Sequence, residues 1–133
     1  MEKTLRELAP LLKVGQVHKD FCLARFREID NEKRAVEARI EALESQRSPR
    51  IANVAEGVLA EKWMEWRRGQ LKKLTAELAD IGTRWNLARK QAQKAVGRVE
   101  VIQELIKRQS ESLGSRRARK AEHDAPENAT RLV

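Results

Sequence analysis

The sequence predicts an all-α protein made of two long helices that pair as an antiparallel coiled-coil hairpin. Two long segments each place apolar residues at the a and d positions of a seven-residue repeat, and a short stretch outside the repeat separates them. Charged residues make up 36% of the chain, aromatic residues 4%, and Tyr is absent. An apolar stripe with this spacing on a highly charged chain is typical of helices that pair along one seam.

The first helix is predicted over residues 4–46. Its seam is mostly aliphatic, and the exceptions are Gly15, Lys19 and Lys33. The seam residues, alternately a and d, are Leu5, Leu8, Leu12, Gly15, Lys19, Cys22, Phe26, Ile29, Lys33, Val36, Ile40 and Leu43. Pro10 lies too deep for the first turn of a helix, so we expect the helix to kink or restart there.

The second helix is predicted over residues 59–113, because Gly114 then takes the position after a helix end where glycine is common. Its seam is interrupted by the polar residues Arg67 and Gln109. The seam residues are Met64, Arg67, Leu71, Leu74, Leu78, Ile81, Trp85, Ala88, Ala92, Ala95, Val99, Ile102, Ile106, Gln109 and Leu113.

Residues 47–58 leave the repeat and are predicted to form the turn. A short connection between long helices makes them antiparallel neighbours, and a turn centred in this stretch places Phe26 beside Leu78. Residues 1–114 therefore form one hairpin domain. Residues 115–133 are basic and polar with few apolar side chains, so we expect a disordered tail.

Most of the net charge of +8 belongs to the second helix. Residues 1–46 hold nine Lys or Arg and nine Asp or Glu, whereas residues 71–109 hold nine basic and four acidic residues. The basic run within the second helix is Arg84, Arg89, Lys90, Lys94 and Arg98. A solvated basic surface, an acidic protein partner and a nucleic acid all remain open as explanations of this run.

The sequence shows no group that predicts catalysis or cofactor binding. The two histidines, His18 and His123, are far apart, and Cys22 is the single cysteine, so no metal-ligand set is present. The six glycines are scattered and form no phosphate loop. Catalysis needs groups that converge in a cleft, and a two-helix hairpin has none. We therefore predict a protein that is not an enzyme, with no catalytic, cofactor or metal site and no small-molecule substrate.

The compartment is predicted from the start of the chain and its hydropathy. Met1 is followed by polar residues without the basic and then apolar regions of a secretory signal. No stretch approaches the roughly 18 apolar residues of a membrane span. We expect a cytoplasmic protein without membrane insertion.

Apolar residues off the seam are the candidate partner contacts. We expect them to point outward on a polar hairpin, where exposed aromatic and aliphatic residues commonly mark a binding surface. A bend or local register shift that buries some of them is the alternative. With the two basic residues that accompany them, the candidates are Val14, Val17, Phe21, Trp63, Trp66, Leu87, Lys94 and Arg98.

Three segments carry a resemblance to a known family. They are Leu11-Leu12-Lys13-Val14, Lys62-Trp63-Met64-Glu65-Trp66 at the start of the second helix, and Val99-Glu-Val-Ile-Gln-Glu-Leu-Ile-Lys-Arg-Gln109 near its end. In these segments the chain resembles the FliJ/YscO family of type III export components, small basic coiled-coil hairpins of flagellar and virulence secretion systems.

The resemblance implies a coiled-coil stalk and chaperone escort that binds and stimulates the hexameric export ATPase. It further implies contact with the export gate protein and with substrate chaperones, and a cytoplasmic location that reaches the inner face of the membrane through the export apparatus. The terminal end of the hairpin would enter the ATPase ring. Gate contacts would fall on Trp66, Gln70, Leu74 and Ile81. A generic cytoplasmic coiled-coil adaptor or assembly factor, and a nucleic-acid-associated basic coiled coil, are the alternative functions.

Overall fold

The protein, in a computed structural model, is a helical hairpin of two long helices. The structure describes residues 2–46 and 51–131, with side chains for 3–46 and 51–122. Helix α1 spans Glu2–Ser45 and helix α2 spans Val54–Arg131. Within these ranges no strand is present. The predicted all-α class and the two-helix architecture are confirmed.

Helix α1 passes through Pro10 without interruption, so the expected restart at this residue was wrong. Proline removes one backbone donor, which would have bonded to the carbonyl of Arg6. Both residues are exposed, so solvent reaches that part of the helix. Leu8 and Leu12 on either side of Pro10 keep partly buried seam positions, and this packing holds the helix together across the proline.

Helix α2 begins at Val54, five residues before the predicted start. Asn53 caps it, because the Asn53 Oδ1 atom accepts a hydrogen bond from the backbone N–H of Glu56 at 2.8 Å. The Glu56 carboxylate accepts a second bond from the backbone N–H of Ala52 at 2.7 Å. Ala60 is buried at the d position that precedes Met64, so the seam starts four residues earlier than predicted. Of that turn, residues 47–50 lie outside the described residues.

The chain divides into two compact units, and each contains part of both helices. The first comprises residues 1–21 and 93–133, and the second comprises residues 22–92. In the second unit, the core is a cluster of five buried seam residues: Ile29, Val36, Leu74, Ile81 and Ala88. Five further seam residues pack against this cluster: Phe26, Ile40, Leu43, Leu78 and Trp85. The heptad pattern therefore identified the core of this unit.

The pairing register in the second unit differs from the predicted one by at least one heptad. The Trp85 ring lies 5.4 Å from the Phe26 ring, centroid to centroid, so Phe26 faces a residue seven positions beyond Leu78. Arg84 also forms an ion pair with Glu32 at 3.3 Å. The prediction assumed a tight turn at the end of α1. Gln46 and residues 51–53 are not helical, and the last turn of α1 contacts Arg67, which lies well inside α2. A shift of seven residues leaves every a and d assignment unchanged.

Two polar residues on the seam have specific contacts in the second unit. Arg67, at a d position, donates hydrogen bonds to the carbonyls of Leu43 at 2.9 Å and Glu44 at 3.3 Å. These carbonyls belong to the last turn of α1, which has no basic residue of its own. The ammonium group of Lys33, at an a position, lies 4.3 Å from the centre of the Trp85 ring. Both residues contribute to packing instead of interrupting it.

The first unit packs through small residues. A Cβ atom built on Gly15 would lie 3.4 Å from Val99 Cγ2 and 3.6 Å from Ile102 Cδ1, so these side chains occupy the space beside the glycine. Ala95 and Val99 are almost completely buried. Because the helices run antiparallel, this contact makes Leu11 level with Leu105, and Phe21 level with Lys94.

Helix α2 continues past Gly114 to Arg131, so the predicted helix end at Leu113 was wrong. Gly114 has an ordinary negative φ and does not end the helix. A single glycine costs a helix only about 1 kcal/mol, and the Arg, Ala and Lys residues that follow favour helix. Residues 115–122 are all exposed and add nothing to the packed seam, as expected for a tail.

Candidate partner-binding surface

Val14, Val17 and Phe21 form an apolar stripe that α2 does not cover. Their side chains are 68%, 71% and 63% exposed, although seam residues on the same helix are buried or partly buried. They line an open groove together with Lys13 and His18. The predicted outward orientation is confirmed, and the alternative that a local shift of register buries them is wrong.

A second groove shows which heptad positions of the two helices lie on the same side of the first unit. That groove is lined by residues at a, b and e positions of both helices: Leu5, Arg6, Ser110, Leu113, Gly114 and Arg117. The b and e positions of α1 and α2 therefore share one side of the hairpin. The c and g positions of both helices must then share the opposite side, as in any antiparallel pair.

This opposite side, which we name the c/g face, combines side chains from both helices. Between the levels of Leu11 and Phe21, α1 contributes Leu11, Val14, His18 and Phe21, and α2 contributes Lys94, Arg98, Val101 and Leu105. All five apolar members are exposed. The structure thus brings together four predicted site residues that are far apart in sequence, namely Val14, Phe21, Lys94 and Arg98. Val17, at an f position, lies at the edge of the face.

Lys94 and Arg98 are the free positive charges of this face. Both are exposed, and no carboxylate in the described part of the chain forms an ion pair with either. Of the other members of the basic run, Arg84 pairs with Glu32 and Asp80, Arg89 lies over the Trp85 ring, and Lys90 is exposed in the second unit. The c/g face of the first unit therefore holds two cations of this run that are available to a partner.

The other predicted contacts belong to the second unit and do not cluster. Trp66 and Leu87 are 53% and 59% exposed, as predicted, but they lie roughly 30 Å apart along α2. Trp63 is partly buried, and the Arg67 guanidinium lies 6.0 Å from the centre of its ring. The side chains of Trp63, Trp66 and Leu87 therefore form no shared surface comparable with the c/g face.

The gate contacts implied by the family resemblance are only partly accessible. Leu74 and Ile81 are buried in the core of the second unit, at 8% and 2% exposure, so a partner cannot reach them without separating the helices. Trp66 is exposed and Gln70 is partly exposed. Of the four implied gate contacts, Leu74 and Ile81 are therefore not accessible while the helices are paired.

Sequence reasoning missed a group of exposed apolar residues around the start of α2. Ile51, Val54, Val58 and Leu59 are all exposed, and Val54 reaches 86%. Three of them line an open groove with Met64: Ile51, Val54 and Val58. The sequence does contain a signal for this group, because these four aliphatic residues lie off the a and d positions of the heptad register of α2. It was assigned to a turn because the repeat does not extend there.

The described residues offer little for chemistry. No group of three or more His, Cys, Asp or Glu side chains in this part of the chain is arranged to hold a metal ion. In the same ranges, neither helix has a segment long and apolar enough to cross a membrane. Comparison of the chain with protein-family models, with curated proteins and with solved structures finds no match in any of the three.

Proposed function

We propose that this protein is the coiled-coil stalk and chaperone escort of a type III protein export apparatus. It binds the export ATPase ring through the c/g face near its termini, stimulates the ATPase, and reaches the export gate and substrate chaperones through other parts of the hairpin. The observation that carries this proposal is the c/g face, where five exposed apolar side chains surround two unpaired basic residues.

A binding function accounts for features that stability alone does not. Exposed apolar side chains contribute little to the isolated fold, yet they are concentrated on one side of one unit. The resemblance to the FliJ/YscO family in three segments supports the export ATPase as the partner, since its first segment, Leu11-Leu12-Lys13-Val14, overlaps this face.

The test is an ATPase assay with the full-length chain and the type III export ATPase of the same organism. We expect stimulation of ATP hydrolysis at substoichiometric amounts, because one hairpin serves a whole ring. Reversal of charge by Lys94→Glu with Arg98→Glu should weaken stimulation and leave helicity unchanged. Lys72→Glu with Lys73→Glu is the matched control, since these exposed lysines lie outside the first unit.

The outcomes separate the competing functions. Absence of both binding and stimulation by the wild-type chain would overturn the export proposal in favour of a generic coiled-coil adaptor. Binding to mixed duplex DNA or RNA that falls steeply with salt would instead favour the nucleic-acid function. Equal stimulation by wild type and the double charge reversal would remove the basic residues from the contact.

A further inference from the structure

We propose that the c/g face takes an acidic amphipathic helix of a partner, which lies along the hairpin as a third helix. This inference rests on the proposed function, because both use the same face. It adds the chemistry of the partner segment that binds there. The relevant side chains are Leu11, Val14 and Phe21 from α1 and Lys94, Arg98, Val101 and Leu105 from α2.

The arrangement of the apolar residues fits a helix. The contact of Gly15 with Val99 and Ile102 sets the levels of the two helices, so Leu11 lies level with Leu105 at one end. Phe21 marks the other end, roughly 15 Å away along α1. On α1 the result is an apolar strip about three helical turns long that only His18 interrupts. On α2, Val101 and Leu105 form a second apolar wall beside one half of this strip, and Lys94 and Arg98 lie beside the other half. Such a strip accepts residues spaced i, i+3, i+4 and i+7 on one face of an incoming helix.

The charge of the face selects an acidic helix. Lys94 and Arg98 lie beside the apolar strip and have no carboxylate partner among the described residues. No Asp or Glu occupies a c or g position between Leu11 and Phe21 or between Lys94 and Leu105. A helix that flanks its apolar stripe with Glu or Asp would neutralise both cations, and opposite charges at flanking positions set partner choice in coiled coils.

Two other occupants fit the face less well. A second copy of this chain would bring two further cations, its own Lys94 and Arg98, into the same interface, and like charges at an interface are destabilising. A nucleic acid would use the cations but would leave four exposed aliphatic residues, Leu11, Val14, Val101 and Leu105, without a role. Phosphate binding depends on charge, and base stacking depends on aromatic rings.

The experiment measures binding of two synthetic helical peptides to the full-length chain by fluorescence anisotropy. Both peptides have three heptads with Leu at a and d; one has Glu at every e and g position, and the other has Lys. We expect the Glu peptide to bind at least about tenfold more tightly than the Lys peptide. Lys94→Glu with Arg98→Glu should reverse this preference while the circular dichroism spectrum stays the same.

Apolar contacts are tested separately. Phe21→Ser with Val101→Ser should weaken binding of the Glu peptide by roughly ten- to a hundredfold, the range for truncation of central contacts. Leu59→Ser is the matched control, because Leu59 is as exposed as Phe21 but lies in the second unit. We expect it to leave the affinity unchanged.

Equal affinity for the two peptides would overturn the inference, and so would a loss in the Leu59 control as large as that in the double Ser variant. Sedimentation equilibrium provides a further outcome: a dimer that Phe21→Ser dissociates would assign the face to a second copy. If the chain stimulates the ATPase but binds both peptides equally, this inference is wrong and the proposed function stands. If the chain binds the Glu peptide selectively but has no effect on the ATPase, the proposed function is wrong and this inference stands.

Discussion

The indole N–H of Trp85 donates a hydrogen bond to Oδ1 of Asp30 at 3.0 Å, and this bond joins α2 to α1 within the core of the second unit. The other carboxylate oxygen of Asp30 pairs with Arg34 at 3.0 Å. The Trp85 ring also packs against Phe26 and lies beneath the Lys33 ammonium group, both of which belong to α1. A shift of one heptad would keep the apolar seam but would break all three contacts between the helices. Trp85 therefore selects one register from several that the a and d pattern permits.

The first prediction concerns this register. Trp85→Phe keeps an aromatic ring but removes the donor, so the partly buried Asp30 loses a hydrogen-bond partner. We expect a loss of about 1 kcal/mol in unfolding free energy, measured by urea denaturation followed by circular dichroism. Trp66→Phe is the matched control, because Trp66 is exposed. Equal losses in the two variants would mean that the hydrogen bond adds no stability.

Arg67 provides a second prediction, at the end of α1. Its guanidinium caps two carbonyls of the last turn, and the helix has no basic residue of its own there. Arg67→Ala should destabilise the hairpin by about 1 kcal/mol, the usual contribution of a hydrogen bond that satisfies such a group. The neighbouring exposed Arg68→Ala should have little effect. Hydrogen exchange should rise first at the amides of the last turn of α1; uniform protection in both variants would contradict the cap.

The third prediction tests the seam. Ile81 is 2% exposed at a d position, so Ile81→Asp places an unpaired charge in the core. We expect a loss of about 3 kcal/mol or more, visible as a large drop in melting temperature and helicity. Leu87→Asp introduces the same residue on an exposed site of the same helix and should change stability only slightly. Wild-type melting of the Ile81 variant would disprove the seam assignment.

The fold and the seam could be predicted from sequence because a seven-residue repeat determines which side of each helix is buried. Residues at a and d, from Cys22 and Ile29 to Ala95 and Val99, are buried or partly buried as expected, except Met64, which is 39% exposed. The register could not be predicted in the same way, because every shift of seven residues preserves the repeat. It depends on single contacts such as Trp85 with Asp30, which have no periodic signal.

The candidate site was predictable only in its separate parts. Val14 and Phe21, and Lys94 and Arg98, were identified as two sets on two helices. Their position on one face follows from the pairing register of α1 with α2, which the heptad repeat does not determine. The helical continuation beyond Gly114 was missed because glycine after an apolar repeat usually marks a helix end.

Gly15 gives the fourth prediction, which is a gain in stability. A Cβ atom here would lie at 3.4 Å from Val99 and 3.6 Å from Ile102, distances of ordinary van der Waals contact. Gly15→Ala should therefore stabilise the hairpin by about 1 kcal/mol through helix propensity, with a further contribution from packing. Gly97→Ala adds a methyl group in open space, so its change in stability measures the contribution of helix propensity alone. A lower melting temperature for Gly15→Ala would show that the helices approach too closely for any side chain.

The fifth prediction separates binding from stability at Phe21. This side chain is 63% exposed, so the isolated hairpin gains little from it, and Ser has a helix propensity similar to that of Phe. Phe21→Ser should leave the melting temperature nearly unchanged. Binding to the export ATPase should nevertheless weaken by roughly 1–3 kcal/mol, because an aromatic side chain that fills a partner pocket contributes this much.

The two measurements on Phe21→Ser must give different answers for the proposal to stand. Phe26→Ser provides the contrast, since Phe26 packs against Trp85 in the core and its loss should lower the melting temperature strongly. If Phe21→Ser melts as early as Phe26→Ser, then Phe21 is a core residue. If it keeps both wild-type melting and wild-type ATPase affinity, then the partner does not contact Phe21, and the c/g face loses its only aromatic contact.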